Sequence, residues 1–303
     1  MTRPHIAFKP FFSLLYDTGL ELSSDYGSVH AAALGYYVLL SIFPLAILAA
    51  IIITRIVGPD AFSGEFETLL SNIIGPQYSQ LLENLFASSY ESATNNVWTL
   101  LNILFLIYSS SYMFFQARIS LDAMWKLTPK PGVTNSLLAT FKTYTFAYVI
   151  AFLVGISFLA LLFANTLWNL ISNLAANRLN INLTNMKTVF DVAASPLIYT
   201  LIFLVAFRYL PQAKSRLIDL FPGAVLTAIL YWGGNNAYSI YLNYSTVSTF
   251  YGVAGSLMLF LFWVYYSAMI FLFGAKFTRL YATRFGSGIT PHSNMTFTIP
   301  VKT

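Results

Sequence analysis

Long apolar stretches separated by shorter polar segments are the dominant pattern of this 303-residue sequence. Each apolar stretch holds about 20 residues, and at about 1.5 Å per residue a helix of that length crosses the roughly 30 Å hydrocarbon core of a bilayer. A helix in a soluble core does not need so long a surface that is apolar all round. The pattern therefore predicts an all-α integral membrane protein with six transmembrane helices, at residues 31–53, 97–115, 144–170, 189–210, 221–242 and 252–273.

The polar segments between these stretches predict shorter elements outside the membrane. Residues 1–30 mix apolar and charged positions, which is typical of an amphipathic helix lying along the membrane surface. Residues 58–96 carry acidic residues but no Lys or Arg, and Gly75-Pro76 interrupts their helical periodicity, which predicts an extracytoplasmic amphipathic hairpin. We expect one transmembrane domain over residues 1–285 and a flexible C-terminal tail over residues 286–303.

The composition places the chain among membrane proteins. It is 57% hydrophobic and only 9% charged, with a mean hydropathy of +0.67, whereas soluble domains carry roughly 25% charged residues. Cysteine is absent, which excludes disulfides, thiolate nucleophiles and cysteine-ligated metals.

The distribution of basic residues predicts the orientation in the membrane. Thirteen of the 16 Lys and Arg residues fall in the N-terminal segment, the second and fourth loops and the C-terminal tail, against three in the opposite loops. By the positive-inside bias, both termini are expected in the cytoplasm. The net charge of +5 does not indicate a nucleic-acid site, because the basic residues are not clustered on a water-exposed domain.

The first predicted span carries polar and helix-disturbing residues on one face. Tyr37, Ser41 and Pro44 follow one another at steps of four and three, so they share one side of a helix. Pro44 lacks an N–H group, which predicts a kink there. Pro196 has a corresponding place in the fourth predicted span, and paired interruptions of this kind occur in transporters built from inverted repeats. This face either packs inside a helix bundle or lines a cavity.

The middle of the fifth predicted span reads Tyr231-Trp232-Gly233-Gly234-Asn235-Asn236, which is unfavourable for an uninterrupted lipid-facing helix. Trp263 and Tyr266 lie too deep in the sixth predicted span to be interfacial, so their N–H and O–H groups need partners or water. Close helix packing with side-chain hydrogen bonds explains these residues as well as substrate contact does. The candidate substrate-lining residues are Tyr37, Ser41, Pro44, Pro196, Asn235, Asn236, Tyr238, Ser256, Trp263 and Tyr266.

The sequence contains no recognisable catalytic or metal-binding pattern. The three histidines, His5, His30 and His292, are isolated, and the G-x-S-x-G, P-loop and H-E-x-x-H motifs are absent. Arg118 and Asp122 form an i, i+4 pair that is most simply a surface ion pair. No buried carboxylate of the kind used by proton-coupled pumps is evident. We therefore predict no enzymatic activity, no catalytic residues, no cofactor and no metal.

Four segments resemble the YihY/BrkB family of bacterial inner-membrane proteins. They are AAALGYYVLLSIFPLAIL from Ala31, FRYLP ending at Pro211, FPGA from Phe221 and YGVAGSLMLFLFWVYYSAMIFLFGAKF from Tyr251. The resemblance implies six transmembrane helices in the bacterial inner (plasma) membrane. An earlier description of the family as a ribonuclease is regarded as mistaken, and proposals lean toward transport of lipids or other solutes. The sequence departs from the family at Lys276, where members typically carry Glu.

These observations leave three hypotheses about function. The leading one is a transporter or permease-like protein that moves a lipid or a small polar solute through a cavity in the helix bundle. The alternatives are a structural or partner-binding envelope protein without transport activity, and a membrane-associated nuclease. Membrane lipids are the expected partners, nucleic acid is not expected, and association into a homo-oligomer stays open.

Overall fold

Helices dominate the part of the chain described by the computed structural model, which covers residues 8–41, 96–130, 184–244 and 247–298. The helices are α1 Phe8–Ser24, α2 with described residues 27–41, α3 Asn96–Met124, α4 Thr184–Tyr209, α5 Leu217–Tyr244 and α6 Val247–Arg284. The strands are β1 Leu127–Pro129, β2 Ala213–Lys214, β3 Thr290–Pro291 and β4 Met295–Phe297.

The described residues group into two compact units. The first unit draws on Met1–Gly27, Ala117–Gly234 and Ile270–Thr303, and the second on Ser28–Gln116 and Asn235–Met269. The boundaries fall inside α3, α5 and α6. One transmembrane domain over residues 1–285 stays a prediction, since these divisions fall within continuous helices and leave no linker signal in the sequence.

Two of the described helices are long and apolar enough to cross a membrane, at Leu217–Leu242 and Met258–Arg284. They overlap the fifth and sixth predicted spans. A shorter apolar helix at Pro196–Tyr209 falls in the fourth predicted span, and α3 contains the second. The predicted span at residues 144–170, the predicted hairpin at residues 58–96 and the first span beyond residue 41 lie outside the described residues.

The sixth helix is longer than its hydropathy predicted. It has 38 residues and continues to Arg284, eleven residues beyond the predicted end at Phe273. The additional turns carry basic residues that form ion pairs with acidic residues of the N-terminal segment. Hydropathy measures only the apolar surface, so it places the end of the span where the charges begin, although the backbone stays helical.

In the first unit, α5 and α6 approach each other through two reciprocal glycine–threonine contacts. A Cβ built at Gly223 would lie 1.8 Å from Thr278 Oγ1, and one built at Gly274 would lie 1.7 Å from Thr227 Oγ1. Each threonine hydroxyl donates to the glycine carbonyl one turn earlier in its own helix, at 2.6 Å for Thr227 and 2.7 Å for Thr278. The hydroxyls are therefore satisfied, and the glycines allow the close contact.

Two strand pairs order the C-terminal segment as far as it is described. β4 pairs antiparallel with β1, and β3 pairs antiparallel with β2. The Thr298 amide also donates to the Lys126 carbonyl at 2.8 Å. The polar composition of this segment predicts a flexible tail from residue 286, because its strands are too short to show alternation. Backbone pairing, which composition does not reveal, orders the segment through Thr298.

Candidate functional site

Three of the predicted lining residues come together where α5 and α6 meet in the second unit. The Trp263 Nε1–H donates to Asn235 Oδ1 at 2.9 Å, and the Tyr238 hydroxyl donates to the Leu259 carbonyl at 2.9 Å. Asn235 and Tyr238 lie one turn apart, so both face α6. The indole of Trp263 and the amide of Asn235 thus satisfy each other across the helix pair.

This polar contact is bordered by apolar side chains. Leu259, Phe260 and Val264 form a buried cluster on α6, against which Val38, Leu39, Leu242 and Trp263 pack. Hydrogen bonds in such low-dielectric surroundings are electrostatically stronger than in water, and an unpaired polar group there is correspondingly unfavourable. The contact therefore links the two helices and specifies how they align.

Two hydroxyl groups on α6 have no hydrogen-bond partner within the described structure. They are the buried Tyr266 Oη and Ser267 Oγ, and both belong to the candidate span Met258–Arg284. Tyr266 lies about one turn beyond Trp263 on the same helix face. A buried polar group without a partner is unfavourable by about 1–3 kcal/mol. A water molecule or the polar group of a solute beside this turn would remove that penalty.

Tyr37 and Ser41 lie on one face of α2, as their spacing predicted. Ser41 is buried and donates its hydroxyl to the Tyr37 carbonyl at 2.9 Å. The Tyr37 ring stacks on Tyr112 of α3, with 5.8 Å between the ring centroids. The hydroxyl of Ser41 thus has a partner on its own helix, so its burial alone does not indicate a ligand.

The other predicted lining residues are not part of the Asn235–Trp263 contact. Pro196 lies inside α4 in the first unit, where its carbonyl accepts a hydrogen bond from the Thr200 hydroxyl at 2.7 Å. Asn236 is exposed. Pro44 and the side chain of Ser256 lie outside the described residues. A lining role for these residues stays a prediction.

An ion-pair cluster between α1 and α6 in the first unit was not predicted. The Lys276 side chain is fully buried; it is paired with Asp25 and lies 3.5 Å from Glu21. Glu21 is also 3.0 Å from Lys126 Nζ and 3.2 Å from Arg279 Nη1. The lysine at the position where the family resemblance implies Glu is therefore neutralised by two carboxylates, since an unpaired buried charge would be strongly unfavourable.

The positive charges of this cluster lower the pKa of Glu21. Partial burial raises the pKa of Glu21, but the hydrogen bond from Lys126 and the positive charges of Lys276, Lys126 and Arg279 together lower that pKa below its usual range. Glu21 is therefore ionised at neutral pH. A spacing signal was present in the sequence: Asp17, Glu21 and Asp25 follow one another at intervals of four, and three basic residues lie within the last turns of α6.

Asp122 is buried rather than exposed, which corrects the interpretation of Arg118 and Asp122 as a surface pair. Its Oδ1 accepts from the Gln212 backbone N–H at 2.8 Å, and its Oδ2 accepts from Gln212 Nε2 at 3.2 Å. Burial raises the pKa of Asp122 to about 6, against the lowering effects of Gln212 and of the Arg118 charge. Asp122 lies at the end of α3 among Leu121, Met124 and Trp125, whose apolar side chains are all fully buried in the core.

The network around Asp122 extends to the C-terminal segment. Asn294 Nδ2 donates to Gln212 Oε1 at 3.2 Å, and the His292 backbone N–H donates to the Gln212 carbonyl at 3.1 Å. Burial and the nearby positive charges of Lys214 and Arg118 lower the pKa of His292. Burial also lowers the pKa of Arg118, whose Nε has no hydrogen-bond partner in the described structure.

No group of three or more His, Cys, Asp or Glu side chains suited to a metal ion occurs among the described residues. The geometry that is present consists of helix contacts, ion pairs and isolated polar groups within or beside apolar helices. Such an arrangement can bind and orient polar groups.

Comparison with known proteins identifies the family. The model of the family described as virulence factor BrkB matches residues 20–295. Proteins called UPF0761 membrane protein are similar: the one from Alcanivorax borkumensis is 25% identical over 90% of this chain and 60% of its own length. The one from Pseudomonas aeruginosa strain LESB58 is 24% identical over 81% of this chain and 57% of its own length.

The protein of the same name from Coxiella burnetii strain Dugway 5J108-111 is 26% identical over 83% of this chain and 87% of its own length. The chain thus spans less than two thirds of the Alcanivorax and Pseudomonas relatives. No solved structure matches it. Because the family model covers most of the chain, including both apolar helices α5 and α6, the chain belongs to the BrkB family of membrane proteins.

Proposed function

We propose that this protein is an inner-membrane transporter that moves a lipid or a small polar solute past the α5–α6 contact of the second unit. The observation that carries the proposal is the pair of buried hydroxyls of Tyr266 and Ser267 without a partner in the described structure, about one turn from the Asn235–Trp263 hydrogen bond. A substrate or its accompanying water would supply the missing partners.

Polar groups at membrane depth need hydrogen-bond partners other than lipid. Lipid chains offer no hydrogen bonds, so polar groups within a span face the protein interior or a wet cavity. The Tyr266 and Ser267 hydroxyls lie in the candidate span Met258–Arg284, and both oxygen atoms are buried inside the protein. A hydrophilic path beside this turn gives both groups partners and gives a polar substrate a route through the apolar layer.

The proposal includes six spans, both termini in the cytoplasm and a multi-pass arrangement in the bacterial inner membrane. Its support is the number of long apolar stretches and the bias of 16 basic residues toward one set of loops. An even number of spans agrees with both termini on the same side. Membrane lipids are the proposed surroundings and one class of proposed substrate.

Flux in proteoliposomes tests the proposal. One arm follows a fluorescent phospholipid between leaflets by dithionite quenching, and the other follows vesicle shrinkage and recovery in gradients of glycerol or urea. We expect one arm to exceed protein-free vesicles, and Tyr266→Phe to alter that rate because it removes a hydroxyl at the site. Tyr244→Phe, at an exposed position on α5, is the matched control and leaves the rate unchanged. Flux equal to protein-free vesicles in both arms would count against transport.

A structural or partner-binding role is the second candidate, and one observation favours it. Asn235, Tyr238 and Trp263 all take part in hydrogen bonds between α5 and α6, as expected of side chains that hold helices together. If both flux arms fail while the folded protein is present in the vesicles, this function replaces the transporter.

A further inference from the structure

α1 has one face that is part of the core of the first unit. Leu14, Thr18 and Leu22 are buried along this face, and Leu14 packs in a cluster with Phe277 and Leu280 of α6. The Phe11 ring also meets Phe277 edge to face, with 6.0 Å between the centroids. These contacts fix α1 on the C-terminal part of α6.

A second face of α1 is acidic, and it is neutralised by α6. Asp17 Oδ2 lies 2.6 Å from Arg284 Nη2, and Glu21 Oε2 lies 3.2 Å from Arg279 Nη1. Asp25, in the turn after α1, is paired with Lys276. The three carboxylates are thus matched by three cations of α6, so they do not oppose contact between α1 and an anionic surface.

A third face of α1 carries exposed apolar side chains that no other described part of the chain covers. Phe12, Tyr16 and Leu20 follow at steps of four and are 64%, 68% and 54% exposed. At about 100° per residue these side chains fall within one quarter of the helix surface, a quarter that they share with Ser23 and, at the start of the helix, Lys9. A soluble surface rarely leaves such a stripe open to water.

The place of α1 indicates what covers this stripe. All its partners on α6, from Lys276 to Arg284, lie at the end of the candidate span Met258–Arg284. The end of a span lies at the boundary between acyl chains and headgroups, where aromatic side chains and apolar helix faces insert about 5–10 Å deep. The neutralised carboxylates and the continuity with a membrane-crossing helix both favour lipid as the occupant.

We propose that α1 docks into the bilayer interface through Phe12, Tyr16 and Leu20, while its acidic face holds it to the end of α6. This docking requires insertion of α6 in a membrane and does not depend on transport. If the proteoliposomes show no flux, the proposed transport function is wrong, but the proposed contact of α1 with lipid still holds. The other possible occupant, the same stripe of a second copy of the chain, is an outcome of the test.

Spin labels on single cysteines test the proposal, since the chain has no cysteine of its own. Labels are placed at Tyr16→Cys and Leu20→Cys on the stripe and at Ser293→Cys on the exposed C-terminal segment. The full-length protein is reconstituted in nanodiscs of phosphatidylethanolamine and phosphatidylglycerol. The accessibility of each label to oxygen, which partitions into lipid, and to a water-soluble nickel chelate is then measured.

We expect the ratio of oxygen to nickel accessibility to be about threefold or more higher at positions 16 and 20 than at position 293, because an interfacial helix has one face in lipid. Equal, water-like ratios at all three positions would overturn the proposal. Dipolar broadening at positions 16 and 20 that disappears on dilution with unlabelled protein would also overturn it, because it identifies a second copy as the occupant. With two stripe variants, the test survives if one of them fails to fold.

Discussion

The carboxyl group of Asp122 gives the protein a defined dependence of stability on pH. Its pKa in the folded chain is about 6, against an ordinary value of 3.8, so the folded chain keeps a proton that the unfolded chain has released. This contribution is fully present below pH 3.8 and is lost as the pH rises through about 6. Between these values it changes the free energy of unfolding by up to about 1.4 kcal/mol per pH unit.

His292 has the opposite effect on the pH dependence of stability, so separate variants are needed to distinguish its contribution from that of Asp122. Its pKa is lowered by burial and by Lys214 and Arg118, so its contribution is present above its ordinary pKa and is lost as the pH falls. Acidification from pH 6.5 to 4.5 protonates Asp122 and thereby stabilises the folded protein; we expect Asp122→Asn to abolish this gain in stability. We expect His292→Gln to enlarge the gain, because the variant no longer loses the stability that His292 contributes at higher pH. Thermal unfolding midpoints in detergent micelles measure both. An identical pH profile for Asp122→Asn and the parent chain would contradict the assignment.

The hydrogen bond between Trp263 and Asn235 is a second feature at the scale of single residues. We expect Asn235→Leu or Trp263→Phe to lower the free energy of unfolding by about 0.5–2 kcal/mol, because each leaves one polar group unpaired between two helices. The double variant loses less than the sum, since it leaves neither partner unpaired. Urea or thermal unfolding in bicelles supplies the four values of the cycle. Strict additivity would mean that the 2.9 Å contact does not stabilise the folded protein.

At the scale of elements, the reciprocal contacts Gly223–Thr278 and Gly274–Thr227 determine how closely α5 and α6 approach in the first unit. We expect Gly274→Ala to destabilise the protein by about 1–3 kcal/mol, because the new methyl group overlaps a short, hydrogen-bonded side chain. A Cβ there would be 2.8 Å from Thr227 Cβ. Thermal unfolding in micelles is the measurement.

Gly233→Ala is the matched control, because no atom lies within 4 Å of a Cβ at this position of α5. It should leave the midpoint unchanged or raise stability by up to about 1 kcal/mol through helix propensity. Equal destabilisation by both substitutions would show that the loss at Gly274 does not come from the helix contact.

The helical elements could largely be predicted from hydropathy, and the contacts between them could not. α5 and α6 include the apolar stretches predicted as the fifth and sixth spans. Asn235 and Tyr238, which are three residues apart, lie on the face of α5 that meets α6. The length of α6 beyond Phe273 could not be predicted, because it depends on carboxylates more than 250 positions away.

The buried state of Asp122 was missed for a related reason. Its i, i+4 spacing from Arg118 is equally common on exposed helices, and the groups that enclose it come from Gln212 and the C-terminal segment. The two strand pairs were missed because each spans only two or three residues. Local patterns define elements, whereas long-range pairing decides which polar groups are buried.

At the scale of the whole molecule, the proposed six-span topology makes a prediction about sidedness. A cysteine at Ser88→Cys, in the predicted outer hairpin, should react with an impermeant maleimide in intact spheroplasts. A cysteine at Ser293→Cys, in the C-terminal segment, should react only after permeabilisation, because the positive-inside bias places that segment in the cytoplasm. Reaction of both positions from the same side would contradict the five spans, an odd number, that the proposed topology places between residues 88 and 293.

Transport requires that the polar turn at Tyr266 and Ser267 borders a hydrated path. Ser267→Cys is nearly isosteric, and in nanodiscs its reaction with a charged, water-soluble methanethiosulfonate reports whether water reaches the buried hydroxyl position. Phe262→Cys, at an exposed position of the same span, and Ser293→Cys, on the exposed C-terminal segment, are the lipid-facing and water-facing controls. We predict that Ser267→Cys reacts as Ser293→Cys does, while Phe262→Cys stays unmodified. If Ser267→Cys stays as inert as Phe262→Cys while Ser293→Cys is modified, the turn is dry and the transport account is wrong.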